Sequence, residues 1–140
     1  MNKDEWIFEG VRFLGATFWT DFLADPTFLQ SKAMDIVGQA LNDYRKIYIE
    51  DGTITPELTL SWHLEQKYWL EQKLNESGDF DKTVVLTHTG PSAACQHRSF
   101  KLSAISSGFL HDWMTSLKKP ICGALVIHIL ISIRRLVTHV

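Results

Sequence analysis

The chain has 140 residues, of which 45% are hydrophobic and 21% charged, and its formal net charge is −2. These values fit one globular domain with its own core, and they give no electrostatic argument for binding nucleic acid or an anionic membrane surface. The two cysteines, Cys95 and Cys122, have neither the spacing of a disulfide framework nor that of a zinc site. Together with a polar N-terminus that lacks a signal-peptide core, they predict a cytoplasmic protein.

The first elements in chain order are two short strands. Residues 6–8 and 11–14 are mostly apolar and flank Glu9 and Gly10, which predicts a hairpin. The aromatic-rich residues 15–22 follow, and their pattern is too irregular to favour either a strand or a helix.

Two helices are expected next. An Asp-Pro pair at residue 25 supplies a capping carboxylate and a first-turn proline, which predicts a helix over residues 25–42. After a polar loop, Thr-Pro-Glu begins a second helix over residues 55–74. Its predicted apolar side carries Leu58, Trp62, Trp69, Leu70 and Leu74. Its predicted solvated face carries Glu65, Gln66, Lys67, Glu71 and Lys73.

A short buried strand follows the second helix and ends at a histidine. Residues 84–92 read VVLTHTGPS, an apolar run stopped by a Gly-Pro turn. His88 therefore stands at the end of this strand, where α/β sheets place ligands and metals. A neutral imidazole there can bind a metal ion. A helix followed directly by a buried strand predicts α/β layering.

Four segments resemble the bacterial and phage calcineurin-like metallophosphoesterases. They are residues 11–22 (VRFLGATFWTDF), 44–47 with the helix of residues 55–74, 84–92, and 107–110 (SGFL). They occur in the family's order. The resemblance implies an α/β fold, a partial four-layer α/β/β/α metallophosphoesterase sandwich, in which residues 1–110 form part of the phosphoesterase domain.

The resemblance also implies a metal site and a substrate. Family members hold two divalent metal ions (Mn, Fe or Zn) that activate a hydroxide to attack a phosphomonoester or phosphodiester. His88 matches a metal ligand of that site, while Thr89 stands where many relatives have a second histidine. The family's Asp-x-His, Gly-Asp-x-x-Asp and Gly-Asn-His-Glu motifs are not in this sequence. We therefore expect a fragment that neither retains the metals nor turns over substrate.

The C-terminal segment departs from the family. Where Gly-His-x-His is expected, residues 125–133 read LVIHILISI. Isoleucine codons begin with A-T. When the preceding base is C, a frame that starts one base earlier reads C-A-T, which is a histidine codon. With suitable codons, such a frame turns this segment into Gly-His-Ser-His-Thr-His-Ile. We predict that the reading frame slips between Phe109 and Ile121, making residues 111–140 an aberrant tail. The apolar run is too short to span a bilayer, which takes about 20 residues.

The remaining candidates have simpler interpretations. Asp21 can anchor a loop near the substrate or cap a turn. His97 can contact a phosphate or lie in a solvated loop, and His63 is expected to be packed or surface-facing. His111 and His128 have no partners at metal-binding spacing, and His139 is near the terminus. Core positions are predicted for Trp6, Phe13, Trp62 and Trp69.

Two classes of function stay open: a metal-dependent phosphoesterase or its inactive remnant, and a non-catalytic interaction module. Because a partial sandwich would leave a sheet edge exposed, self-association through that edge is also expected.

Overall fold

The computed structural model describes residues 3–96, 99, 101–116 and 124–128, the last range as backbone. Within them the chain is mixed α/β, with one four-stranded sheet, a small hairpin and several helices. The strands of the main sheet are β1 (Lys3–Phe8), β2 (Val11–Ala16), β5 (Lys82–Thr87) and β6 (Ala124–His128), in the order β1-β2-β5-β6. β1 is antiparallel to β2, whereas β2, β5 and β6 run parallel.

The predicted N-terminal hairpin is confirmed. Phe8 pairs with Val11 across a two-residue turn, in which Glu9 and Gly10 have φ of +48° and +75°. Positive φ at both central residues is the mark of a type I′ turn, whose twist matches that of the strands it joins.

The first helix begins later than the sequence predicts. Helix α1 spans Gln30–Ala40, and residues 25–28 form a turn instead of its first turn. The Asp25 carboxylate accepts hydrogen bonds from the amide and the hydroxyl of Thr27, and the Phe28 amide bonds to the Asp25 carbonyl. This local turn captures the carboxylate that was expected to cap the helix.

The predicted polar loop contains structure of its own. Helix α2 (Asp43–Lys46) leads into a small hairpin made of β3 (Tyr48–Ile49) and β4 (Gly52–Thr53). Helix α3 then spans Pro56–Asn75, as predicted, and the Thr55 hydroxyl accepts from the Leu58 amide at its start. The strand predicted before His88 is confirmed as β5.

Two hydrophobic clusters make up the described core. One joins the sheet to α3 through Leu14, Val85 and Leu70, and it includes Phe18 and Trp113. The other lies around α1, with its buried members Phe22, Ala33, Val37, Tyr44 and Ile54. Trp6 was expected in the core but is 59% exposed, because β1 is at the edge of the sheet; Phe13, Trp62 and Trp69 are half-buried.

The C-terminal part of the described chain begins with a 3₁₀ helix at Ala104–Gly108 and continues with α4 (Trp113–Ser116). The backbone of β6 pairs with β5, with His128 opposite Thr87. The slip in the reading frame between Phe109 and Ile121, which would make residues 111–140 an aberrant tail, stays a prediction. No helix among the described residues has the length and apolarity to cross a membrane.

We expect Thr55→Ala to lower the free energy of unfolding by about 1 kcal/mol, because the hydroxyl satisfies an otherwise unbonded amide of the first turn of α3. Urea unfolding followed by circular dichroism measures this. Gln72→Ala, at an exposed position inside the same helix, is the control and should leave stability nearly unchanged. Equal losses in the two variants would contradict the capping role.

Candidate functional site

The candidate site lies at the carboxyl end of the parallel strands β2 and β5. Ala16 and Thr87 are opposite each other at the ends of these strands. Beyond them, the amides of His88 and Thr89 both donate to the Thr17 carbonyl, at 3.2 and 3.3 Å. The loop after β2, which carries Trp-Thr-Asp-Phe, and the loop after β5, which carries His-Thr-Gly-Pro, therefore form one edge.

His88 is exposed and comes directly after the last residue of β5. Its position agrees with the strand end that the sequence predicts, although its role as a metal ligand stays a prediction. The neighbouring Thr89 is buried and donates its hydroxyl hydrogen to the Phe18 carbonyl. Thr89 thus fastens the two loops together and does not face solvent beside His88.

Two side chains of helix α3 hold the loop after β2 through the backbone amide and carbonyl of Trp19. The Trp19 amide donates to Gln66 Oε1 at 3.2 Å, and the Trp19 carbonyl accepts from Nδ1 of His63. Gln66 is fully buried, so its predicted place on the solvated face of the helix is wrong. The loop lies directly on this part of α3, where the part-buried amide of Trp19 finds its acceptor.

Phe18 is the centre of a buried ring cluster below this edge. Its ring stacks on the His63 ring at 5.3 Å between centroids, and it meets the rings of His111 and Trp113 edge-on at 4.4 and 4.9 Å. The two histidine rings are themselves 5.0 Å apart. Trp113 also donates from Nε1 to Glu71 at 3.3 Å. Spacing along the sequence gives no sign that His63 and His111 meet, because α3 and the segment after β5 come together only in the fold.

Burial lowers the pKa of His63 below its ordinary value, since charging an imidazole among apolar rings is costly. The bond to the Trp19 carbonyl and the charges of Asp21 and Glu71 act in the opposite direction, and Lys67 acts with the burial. A neutral ring that donates from Nδ1 carries its proton there, which fixes one tautomer. His63 therefore acts as a structural donor to the loop after β2.

The contacts of Asp21 are those of a turn residue, and its place near a substrate stays a prediction. Its carboxylate accepts from the Leu23 amide at 3.0 Å, and its carbonyl accepts from the Gln30 side chain at 2.8 Å. Both contacts shape the turn that leads to α1. The backbone of the loop after β2 is unusual, since Phe18 and Phe22 both have positive φ, at +55° and +60°. The loop is thus held in a conformation that large side chains rarely adopt.

The segment of residues 107–110 packs beside the His88 loop. The Gly90 amide donates to the Phe109 carbonyl at 2.8 Å, and the His111 amide donates to the Gly90 carbonyl at 3.0 Å. A Cβ atom at Gly90 would lie 2.5 Å from Leu110 and 2.8 Å from Cys95. Gly90 therefore permits the close approach of the two segments.

A metal centre needs several ligands in one place. Among the residues that the structure describes, no group of three or more histidine, cysteine, aspartate or glutamate side chains could hold a metal ion. Among the described side chains of this edge, His88 is exposed, the Thr89 hydroxyl bonds to the Phe18 carbonyl, and Asp21 Oδ1 accepts from the Leu23 amide. These residues do not fit a dinuclear centre. His97 and His139, and the side chain of His128, lie outside the described residues.

Comparisons of this chain with protein-family models, with curated proteins and with solved structures found no match. The assignment of function accordingly depends on the motifs and on the geometry of this edge.

We expect Gly90→Ala to lower the free energy of unfolding by about 1–3 kcal/mol, because the added methyl group would overlap Leu110 and Cys95. Gly15→Ala is a matched control, since nothing lies within 4 Å of a Cβ atom placed there. Chemical denaturation of the two variants measures the difference. A Gly90 variant as stable as the Gly15 variant would show that the two segments are not in close contact.

The lowered pKa of His63 predicts a pH dependence of stability. The unfolded chain takes up a proton near pH 6.5, while the folded chain resists it. The contribution of His63 is therefore fully present above about pH 6.5, and it is lost as the pH falls through the folded pKa. Urea unfolding between pH 8 and pH 5 should show this decline in the native sequence. His63→Phe should be less stable at pH 8 but decline less steeply, and equal slopes would contradict the assignment.

Proposed function

We propose that this chain is a remnant of a calcineurin-like metallophosphoesterase, with His88 at the position of one metal ligand, and that the 140-residue chain does not itself hydrolyse phosphoesters. The observation that carries the proposal is the meeting of the family-like segments. The loop after β2, the His88 loop and residues 107–110 are far apart in sequence, yet they share hydrogen bonds at one sheet edge. Ligands of parallel α/β sheets bind at this end of the strands.

The second face of the sheet supports the proposal of a partial α/β/β/α sandwich. By the pairing of the strands, Trp6, Phe13 and Val84 share the face opposite to Leu14 and Val85, which α3 covers. Phe13 and Val84 are only half-buried, and Trp6 is exposed. Apolar residues on both faces are typical of a sheet that is covered on both sides, as in a four-layer sandwich.

The small number of candidate metal ligands at this edge supports the proposal that the chain does not hydrolyse phosphoesters. Two-metal hydrolysis requires a clamp of several ligands around both ions. In the part of the chain that the structure describes, His88 is the single residue that matches a family ligand and is free to face solvent. One imidazole cannot position two ions, so no step of hydrolysis is assigned to residues of this chain.

Activity can be tested directly on the purified chain. With Mn²⁺ and either p-nitrophenyl phosphate or bis-p-nitrophenyl phosphate, release of nitrophenol should not exceed the rate in buffer with Mn²⁺ alone. His88→Ala and His139→Ala are the matched variants, and both should equal the native chain. Mn²⁺-dependent turnover that disappears in His88→Ala and persists in His139→Ala would overturn the inactivity and make His88 a working ligand.

The family assignment has a separate test in the gene. The bases that encode residues 125–133 should spell Gly-His-x-His in a shifted frame, because the alternating isoleucines correspond to histidine codons one base away. DNA sequencing across residues 109–133 settles this. If no frame yields that motif, the proposed relationship loses the support of the C-terminal segment, whatever the outcome of the activity assay.

A further inference from the structure

The outer edge of β1 has an unusual combination of free backbone and apolar side chains. In the part of the chain that the structure describes, β1 pairs with β2 alone. Three successive residues, Trp6, Ile7 and Phe8, are 59%, 48% and 51% exposed. Edge strands normally carry lysine, proline or a bulge at their centre, which prevents pairing with another chain. The charged residues of β1 are its first three, residues 3–5. Its apolar half, residues 6–8, has no lysine, proline or bulge.

The hairpin turn determines which backbone groups face outward. In a two-residue type I′ hairpin, the residues next to the turn form a hydrogen-bonded pair, here Phe8 and Val11. The direction of these groups alternates along a strand. The amides and carbonyls of Glu5 and Ile7 therefore point away from β2. In agreement, the Glu5 amide donates to Asp4 Oδ1 at 2.9 Å instead of to a backbone carbonyl.

We propose that a second copy of this chain occupies this edge, with β1 antiparallel to the same strand of the other copy and Trp6 opposite its own counterpart. A two-fold axis normal to the sheet keeps each face on its own side, so only every second register is allowed. Registers that centre on Asp4 or on Glu5 place like charges directly opposite each other, which is unfavourable.

The register centred on Trp6 is the one with complementary charges. It places Lys3, whose ammonium group pairs with Glu65 of its own chain, opposite Glu9 of the other copy at both ends of the pair, and Glu9 is exposed. It also places Glu5 opposite Ile7, so that their outward amides and carbonyls can form the backbone bonds of the pair. The Glu5 amide would exchange its bond to Asp4 for one to the other chain. The register centred on Ile7 instead sets Glu5 opposite Glu9.

Disulfide trapping tests this register. Trp6 would form a non-hydrogen-bonded pair with its counterpart, for which the Cα separation is about 4.5 Å, and disulfides form at Cα separations of about 4.4–6.8 Å. In a Cys95→Ser, Cys122→Ser background, Trp6→Cys should give a disulfide-linked dimer under mild oxidation. Phe8→Cys is a matched control, because it is similarly exposed on the same face but would lie opposite Asp4. It should form the dimer at least tenfold more slowly.

The association itself is measured by analytical ultracentrifugation at about 100 µM chain. The native sequence should sediment as a dimer. Ile7→Pro removes an outward amide without breaking the β1–β2 ladder, so it should be a monomer, whereas Ile7→Val should stay a dimer. Glu9→Lys places like charges at both ends and should raise the dissociation constant by roughly tenfold.

Several results would overturn the proposal. They are a monomeric native chain, polydisperse aggregates, equal crosslinking of the two cysteine variants, or an Ile7→Pro variant that dimerises like the native chain. Circular dichroism checks that each variant is folded. If Ile7→Pro is not folded, the comparison of the two cysteine variants decides the question. None of these outcomes depends on whether the chain is related to a phosphoesterase.

Discussion

The parallel register between β2 and β5 determines which residues of this chain can meet. With Ala16 opposite Thr87, the loops that follow both strands leave the sheet side by side. The Thr17 carbonyl then lies within reach of the amides of His88 and Thr89. A shift of one residue would reverse the faces of β5 and separate these groups. The core residues Leu14 and Val85, which α3 covers, are kept in place by the same register.

The loop after β2 connects the two hydrophobic clusters of the chain. Phe18 belongs to the cluster under the sheet and Phe22 to the cluster around α1, and both have positive φ. Because the loop enters both clusters, the backbone polar groups of Trp19 are partly buried and bond to partners inside the protein. His63 and Gln66 supply these partners to Trp19. Losing either would leave a part-buried backbone group of Trp19 without its partner, which lowers the stability of the fold.

The elements that the sequence predicts correctly are those with a local signal. The Glu9-Gly10 turn, the Thr55 cap of α3 and the apolar run of β5 each depend on residues that are neighbours in the chain. The start of α1 could not be placed, because Asp25 is a good cap in isolation and is captured by Thr27 in the fold.

The candidate site shows the same division between local and distant information. The position of His88 at a strand end follows from the sequence around it. The burial of Gln66 and the contact of His63 with His111 do not, since each depends on a segment that is distant in sequence. A polar residue on a helix is predicted to face solvent by default, whereas Gln66 turns inward and accepts from the Trp19 amide.

The asymmetry of the sheet links the two proposals. Its inner face is covered by α3, whereas the opposite face and the β1 edge carry Trp6, Phe8 and Phe13 with their rings in contact, at 5.2 Å for Trp6–Phe8 and 5.6 Å for Trp6–Phe13. Exposed aromatic surface of this kind favours a covering layer or a second chain, because its burial releases ordered water. In a four-layer sandwich a second sheet would cover the face, and pairing of β1 with a second copy would satisfy the edge. Because face and edge are different surfaces of the same strands, the two arrangements are compatible and each can be tested without the other.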